Sequence, residues 1–321
     1  MNKIKTIGKK ITKSDLSSLI LIMIVIIAFF TAMNVNYFSL RNLINILFSA
    51  STVGIVAVAL SFLIISGGID LSPGAVAAFS GVLAALLMKN GFHPLLAAFV
   101  CLMVAAVIGF VNSLLINYLK IESFIVTLAG MSIYTGLAFI LGNGRSIGIL
   151  DAGFIFFGGG SILGIPISIY VFAVIFIIFL IILNRTRFGR MLYMIGGNEA
   201  AARLAGINPV RIRTMLYMLT PVMGCLAGLI LSGRMNSGQP TAMAGLAFAG
   251  ITAGVVGGVR FGGGRGTLVG MLVGLLLIEA FNNGIAVLGV RSFWQQVASG
   301  LLLVVALMVD YLRNKRSLLQ Q

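Results

Sequence analysis

The chain has 321 residues, of which 60% are hydrophobic and 9% charged, with a mean hydropathy of +1.12. A soluble domain carries about 25% charged residues, so composition excludes a single water-soluble globule. The 22 Lys and Arg against 7 Asp and Glu give a formal charge of +15, but the basic residues gather in short gaps between long apolar runs, a pattern of membrane insertion and not of nucleic-acid binding.

Lys3, Lys5, Lys9, Lys10 and Lys13 precede an apolar stretch from Leu16 to Met33. That stretch is longer than a signal-peptide core and ends without a small-residue cleavage site, so it reads as a first membrane span. A crossing takes about 20 mostly apolar residues. Windows bounded by charge or turn residues predict ten spans, near 16–34, 42–66, 72–88, 94–117, 122–142, 165–183, 214–232, 245–258, 266–288 and 293–312. The second and third meet at a Gly-Gly turn and the eighth is short, so the range is eight to ten. The expected fold class is all-α: a polytopic transmembrane helical bundle, one domain over 1–321. With ten spans and the N-terminus inside, 17 of the 22 Lys and Arg fall on the inner side and 5, Arg41, Lys89, Arg145, Arg234 and Arg291, on the outer. That asymmetry predicts both termini in the cytoplasm.

Between the second and third spans stands Asp70, the acid nearest an apolar run, which makes it a gate or substrate-pathway candidate. The alternative is local: Ser72 caps the next helix, Pro73 takes its first position, and Asp70 favours that helix's dipole. His93 has no second His, Cys or Asp beside it and reads as neither ligand nor base. Cys101 and Cys225 lie inside apolar runs as small core residues. Arg145 and Asp151 lie in an external segment that goes on to contain Gly158, Gly159 and Gly160.

The one long polar segment is 184–213. Within it Asn198 can cap a short helix, Glu199 suits its positive end, Gly206 suits a left-handed C-terminal cap, and Pro209 prevents continuation. Glu199 and Arg203 stand i, i+4 in the favourable order. Two turns of helix are marginal alone in water, so either a partner packs on this one or the segment is a solvated loop with a local cap.

Further along, some of the 40 glycines form rows: Gly224 with Gly228; Gly250, Gly254 and Gly258; Gly266, Gly270 and Gly274. Such rows let helices approach closely in lipid. Gly67-Gly68-Ile69-Asp70-Leu71-Ser72-Pro73-Gly74 is echoed by Gly257-Gly258-Val259-Arg260-Phe261 and the glycines to Arg265 and Gly266. Each turn opens an apolar helix on the predicted inner side, as in a parallel repeat, although glycine bias alone produces the same match. Arg260 or Arg265 is the expected charged contact of Asp70. Asn282 and Asn283, one turn after Glu279, lie near the outer end of their span, where they could bind a sugar or stabilise packing. Phe293 and Trp294 open the last span as interface anchors or a stacking surface.

Gly189 to Asn208 resembles the cytoplasmic coupling loop of the ribose-type monosaccharide permeases of bacterial ATP-binding cassette importers. Ser66 to Gly74, Phe124 to Met131, Asn236 to Ala242, Gly263 to Gly266, and Asn282-Asn283-Gly284 with Phe293-Trp294-Gln295-Gln296 resemble the same family, in its order, from about Asn42 to Asp310. The resemblance implies a multi-pass permease of the bacterial cytoplasmic membrane, paired with a second copy or a related permease. It further implies a cytoplasmic ATPase subunit that holds ATP and Mg, and an external sugar-binding protein. Asn198, Glu199, Ala200, Ala201, Arg203 and Gly206 would then couple to the ATPase, and Asp70, Ser72, Asn282, Asn283 and Phe293 are gate or substrate-pathway candidates. The chain itself has no Walker-type loop, so it is expected to bind no cofactor and to be no enzyme. One departure stands out: Ala247 and Ala249 occupy positions where the family usually carries acids. A self-contained secondary transporter or channel is the competing reading; it would leave the loop around Glu199 without a purpose.

Overall fold

The computed structural model describes residues 2–291 apart from 244, together with 294, 297, 298, 300, 301, 304 and 308. Among the described residues the chain is all-α. The helices are α1 (Asn2–Met33), α2 (Leu40–Ile65), α3 (Pro73–Lys89), α4 (Pro94–Asn117), α5 (Ser123–Leu141), α6 (Ala152–Gly159), α7 (Ile167–Arg185), α8 (Arg187–Gly197), α9 (Glu199–Leu204), α10 (Pro209–Arg234), α11 (Leu246–Val256) and α12 (Leu268–Val287). Four two-residue strands add two small antiparallel pairs, β1 (Ile147–Gly148) with β4 (Ser237–Gly238) and β2 (Ser161–Ile162) with β3 (Ile165–Pro166).

Local sequence sets most of these boundaries. Ser39, Asp151, Thr186 and Thr267 each accept a backbone N–H in the first turn of α2, α6, α8 and α12, filling donors that a helix start leaves open. Pro94 stands in the first turn of α4, and the ring of His93 accepts the N–H of Leu95 at 3.3 Å, so the lone histidine is a cap.

Among the described residues seven helices are long and apolar enough to cross a membrane: α1 from Leu16, α2, α4, α5, α7, α10 and α12. They match seven expected spans, and α3 and α11 take the third and eighth places as shorter apolar helices. The tenth expected span, 293–312, lies for the most part outside the described residues. Three readings need correction. The eighth span is not a membrane-length helix: the 11 residues of α11 reach only about 16 Å at 1.5 Å per residue, half of a roughly 30 Å core. Next, α10 begins at Pro209, with Asn208 as its cap, about one turn before the expected 214, because the first turn of a helix tolerates the arginines that a hydropathy window rejects. Finally, α6 and α8 were unforeseen. Gly and Arg mask the apolar face of α8, where Leu192 and Ile195 are buried.

Burial sorts the helices into an interior and a shell. The apolar window of α2 is 89% buried, whereas that of α7 is 11% buried, so α7, like most of α1, α4 and α5, presents apolar side chains outward to lipid. The long α10 lies against α2, α3, α4 and α6. Glycine rows set its closest approaches: Gly224 faces Pro73, Gly228 the Ala77 carbonyl, and Gly81 of α3 lies against Ser232.

These contacts also fix depth. Gly224 lies 15 residues beyond Pro209, roughly 22 Å along a helix of about 39 Å, so α3 starts partway up α10 and runs beside it toward the C-terminal end of α10. Gly74 packs against the Met243 carbonyl and Leu246, which puts the start of α11 at the same level. From there α11 runs the other way along α2, with Gly250 against Ala57 and Leu60 and Gly254 against Ser61, to Gly257 beside Gly270 of α12. Two short helices thus begin side by side inside the bundle and diverge toward opposite ends. The rows at Gly224 and Gly228, Gly250 and Gly254, and Gly270 and Gly274 all lie at helix contacts, as expected, while Gly258 and Gly266 fall in loops.

A side chain at Gly228 would drive into the α3 backbone. Gly228→Leu should therefore cost about 1–3 kcal/mol or more, read as a lower unfolding midpoint of the detergent-purified protein, with Gly228→Ala intermediate.

Candidate coupling and gate site

The expected cap of α9 is present in each part. Asn198 Oδ1 accepts the N–H of Ala201 at 3.0 Å. At the other end Gly206 adopts φ +79, its N–H donates to Arg203 O at 3.0 Å, and that of Ile207 donates to Ala202 O at 3.0 Å. These two bonds form a Schellman cap, which needs a residue that accepts positive φ without penalty. Arg203 Nη2 reaches Glu199 Oε1 at 2.7 Å. Ala202 is buried, while Leu204 points outward, 91% exposed.

What holds α9 to the bundle was not legible. Arg213, in the second turn of α10, donates from Nη1 to Glu199 Oε2 at 2.6 Å and from Nη2 and Nε to the Ser66 carbonyl at 2.9 and 3.3 Å. Glu199 therefore takes part in both ion pairs found among the described residues. The hydrogen bond from Arg203, aided by the charge of Arg213, holds the Glu199 carboxyl below the usual carboxylate range against the opposing effect of partial burial. A depressed pKa contributes stability above the unfolded value, near 4.3 for Glu, and loses it as pH falls through the folded value. Amide exchange of 201–205, corrected for its intrinsic rate, should be flat from about pH 8 to 5 and accelerate below about pH 4.

The C-terminal ends of α2 and α8 and the loop before α12 meet at this point. The last α2 carbonyls are each taken up: Leu63 O by Gly68 N–H, Ile64 O by Gly67 N–H, Ile65 O by Gly264 N–H at 2.9 Å, and Ser66 O by Arg213. Tyr193 of α8 donates to Gly266 O at 2.7 Å, and Gly196 lies against Ile65 and Gly264. The two glycine turns that echo each other in sequence thus touch, and both end their helices the same way, with Gly67 at φ +84 and Gly258 at φ +88. The shared conformation is offset by one residue from the sequence echo.

Asp70 does not share that end. From Ser66, beside Arg213, the chain turns at Gly67 and reaches Asp70, whose Oδ2 accepts the hydroxyl of Thr220, seven residues farther along α10. Its Oδ1 accepts the backbone N–H of Ser72 at 2.8 Å and the Ser72 hydroxyl at 2.7 Å. The carboxyl is 0% exposed. The expected pairing with Arg260 or Arg265 is therefore corrected: Asp70 stands about 10 Å above the turn and makes no ion pair. Ser72 is corrected as well, since its side chain makes no cap bond and instead donates to Asp70. The positive end of α3 and three neutral donors replace a cation. Ala247, 2% exposed, and Ala249 lie in the first turn of α11, at this same level.

At the other end of the bundle Asn283 exchanges two hydrogen bonds with Asn42, at 2.7 and 3.1 Å. Asn42 also donates to Tyr37 O at 2.8 Å, and Tyr37 donates to Ala280 O at 2.8 Å. These bonds tie α2 to α12. Asn282 is half-buried on the same turn, and Glu279, one turn earlier, is buried. Phe293 lies outside the described residues.

Residues 42–307 match the family described as branched-chain amino acid transport system / permease component. The chain belongs to this permease family. The permease is 39% identical over 288 residues to the ribose import permease protein of Bacillus subtilis, covering 89% of each chain. It is 36% identical over 292 residues to the ribose import permease protein of Escherichia coli, covering 90% of this chain and 91% of that one. To the L-arabinose ABC transporter permease protein of Azospirillum brasilense it is 35% identical over 301 residues, covering 94% of this chain and 89% of that one. It is a multi-pass transport subunit and not an enzyme, and ATP hydrolysis belongs to a separate subunit.

Proposed function

We propose that this permease is the membrane-spanning subunit of an ATP-driven importer for a pentose such as ribose or arabinose. The observation that carries the reading is α9: a capped helix whose apolar tip, Leu204, projects from the end of the bundle where α2, α8 and the α11–α12 loop converge. A cytoplasmic ATPase docks there, an external binding protein delivers the sugar, and the permease works with a second copy or a related permease. Similarity to ribose and arabinose permeases over about nine-tenths of the chain supports the sugar. The 17 to 5 distribution of Lys and Arg supports ten spans with both termini inside. The sequence echo between the turns at Gly67 and Gly257 supports two related halves. Asp70, Ser72 and the outer asparagines flank the route.

Uptake by proteoliposomes containing the permease, its co-purified ATPase and the binding protein tests this. Labelled ribose or arabinose should enter only with internal ATP, and leucine should not. Entry without ATPase would make the protein a self-contained transporter, and entry of leucine alone would overturn the sugar. Both native cysteines are buried, so single cysteines at Gly159 and Leu204 report sidedness. Gly159 should label in intact cells and Leu204 only after permeabilisation; the reverse would invert the topology.

A further inference from the structure

Little apolar surface ties α9 to the rest of the molecule. Of its six residues only Ala202 is buried, so a movement imposed on α9 has few packed side chains through which to travel. The strongest bonds leaving it are polar and pass through one residue. Arg213 splits its guanidinium between Glu199 on α9 and the Ser66 carbonyl at the end of α2, and its side chain is 21% exposed. We propose that Arg213 is a positioning residue that transmits the state of α9 to α2, the helix most enclosed by the bundle.

Three features support the assignment. Ser66 O is one of the carbonyls that a helix end leaves without an internal partner, so Arg213 fills a vacancy and does not compete with an existing bond. Ser66 immediately precedes the left-handed Gly67, from which the chain rises to Asp70 and α3; a pull on this carbonyl acts on α2 and on the turn feeding α3 together. The planar fork places separate nitrogens on its two partners, Nη1 on the Glu199 carboxylate and Nη2 and Nε on the Ser66 carbonyl, a spread that the single nitrogen of lysine does not reproduce.

The inference rests on the reading of α9 as the ATPase dock, and the experiment separates the two. Sugar taken up per ATP hydrolysed is measured in proteoliposomes holding the complete transporter. As a ratio it is unmoved by a defect that merely lowers the amount of folded complex. Arg213→Lys should lower the ratio about tenfold, within the range of coupling between sites, while Arg211→Lys, an exposed neighbour, should leave it unchanged. A ratio equal to wild type in Arg213→Lys overturns the proposal. The exchange Glu199→Arg with Arg213→Glu is a second arm. A plain ion pair would be restored by it, whereas a relay is not, because glutamate has no proton to give the Ser66 carbonyl; recovery of the ratio in the double variant overturns the relay. If Gly206→Pro uncouples transport but Arg213→Lys does not, the dock stands and the relay falls. If neither changes the ratio, α9 is not the dock.

Discussion

Replacing Gly206 with proline should reduce sugar uptake at least about tenfold while the permease still inserts in the membrane at normal level. The Schellman cap holds Gly206 at φ +79 and uses its N–H to close on Arg203 O. Proline fixes φ near −65° and has no N–H, so both the conformation and the bond are lost. With the cap gone, the last turn of α9 unwinds and Leu204 no longer has a fixed direction. Gly206→Ala keeps the N–H and bears only the cost of a left-handed residue, about 1–2 kcal/mol, so its uptake should fall between wild type and proline. Insertion is spared because α9 is on the surface and buries little. Uptake in reconstituted vesicles, normalised to permease by immunoblot, checks this; wild-type uptake in the proline variant would remove α9 from the coupling path.

The second large effect is expected at Asp70. Asp70→Leu removes the acceptor of Ser72 N–H, Ser72 Oγ and Thr220 Oγ1, all in a fully buried setting. Each orphaned donor costs about 1–3 kcal/mol, so this variant should fail to accumulate as folded protein. Asp70→Asn keeps the oxygen that Ser72 uses, and the Thr220 hydroxyl can turn to accept from the new amide; a loss of about 1 kcal/mol is expected, with most uptake retained. Heating membrane extracts and following the monodisperse fraction by size-exclusion chromatography reads both. Because no cation faces Asp70, the exchange Asp70→Arg with Arg260→Asp should rescue nothing. Equal stability of Asp70→Leu and wild type would show that the three bonds carry no weight.

Legibility from sequence followed locality. The cap of α9 lies within nine residues, from Asn198 to Gly206, and each residue's preference is intrinsic, so it was read complete. The bonds that seat Arg213 on Ser66 and Asp70 on Thr220 join residues 147 and 150 positions apart, and nothing in either partner's neighbourhood announces the other. Hydropathy found nine of the ten apolar stretches as helices but carries no depth. It put Asp70 at the same level as Gly67, and it set the 11-residue α11 among full-length helices because its neighbours are apolar. Of the gate candidates, Asp70 and Ser72 do come together, but through each other and Thr220, and Asn283 is engaged by Asn42, which periodicity did not single out.

The paired starts of α3 and α11 bear on how the barrier is divided. Along that seam the hydrogen-bonded helix separating the two aqueous phases is not one rod. It is two segments of 17 and 11 residues, about 26 Å and 16 Å long, that start at a level where lipid cannot solvate first-turn amides and run to opposite ends of the bundle. Each packs on a different long neighbour, α10 for one and α2 for the other, so a shift of α10 against α2 would move one segment without requiring the other to follow.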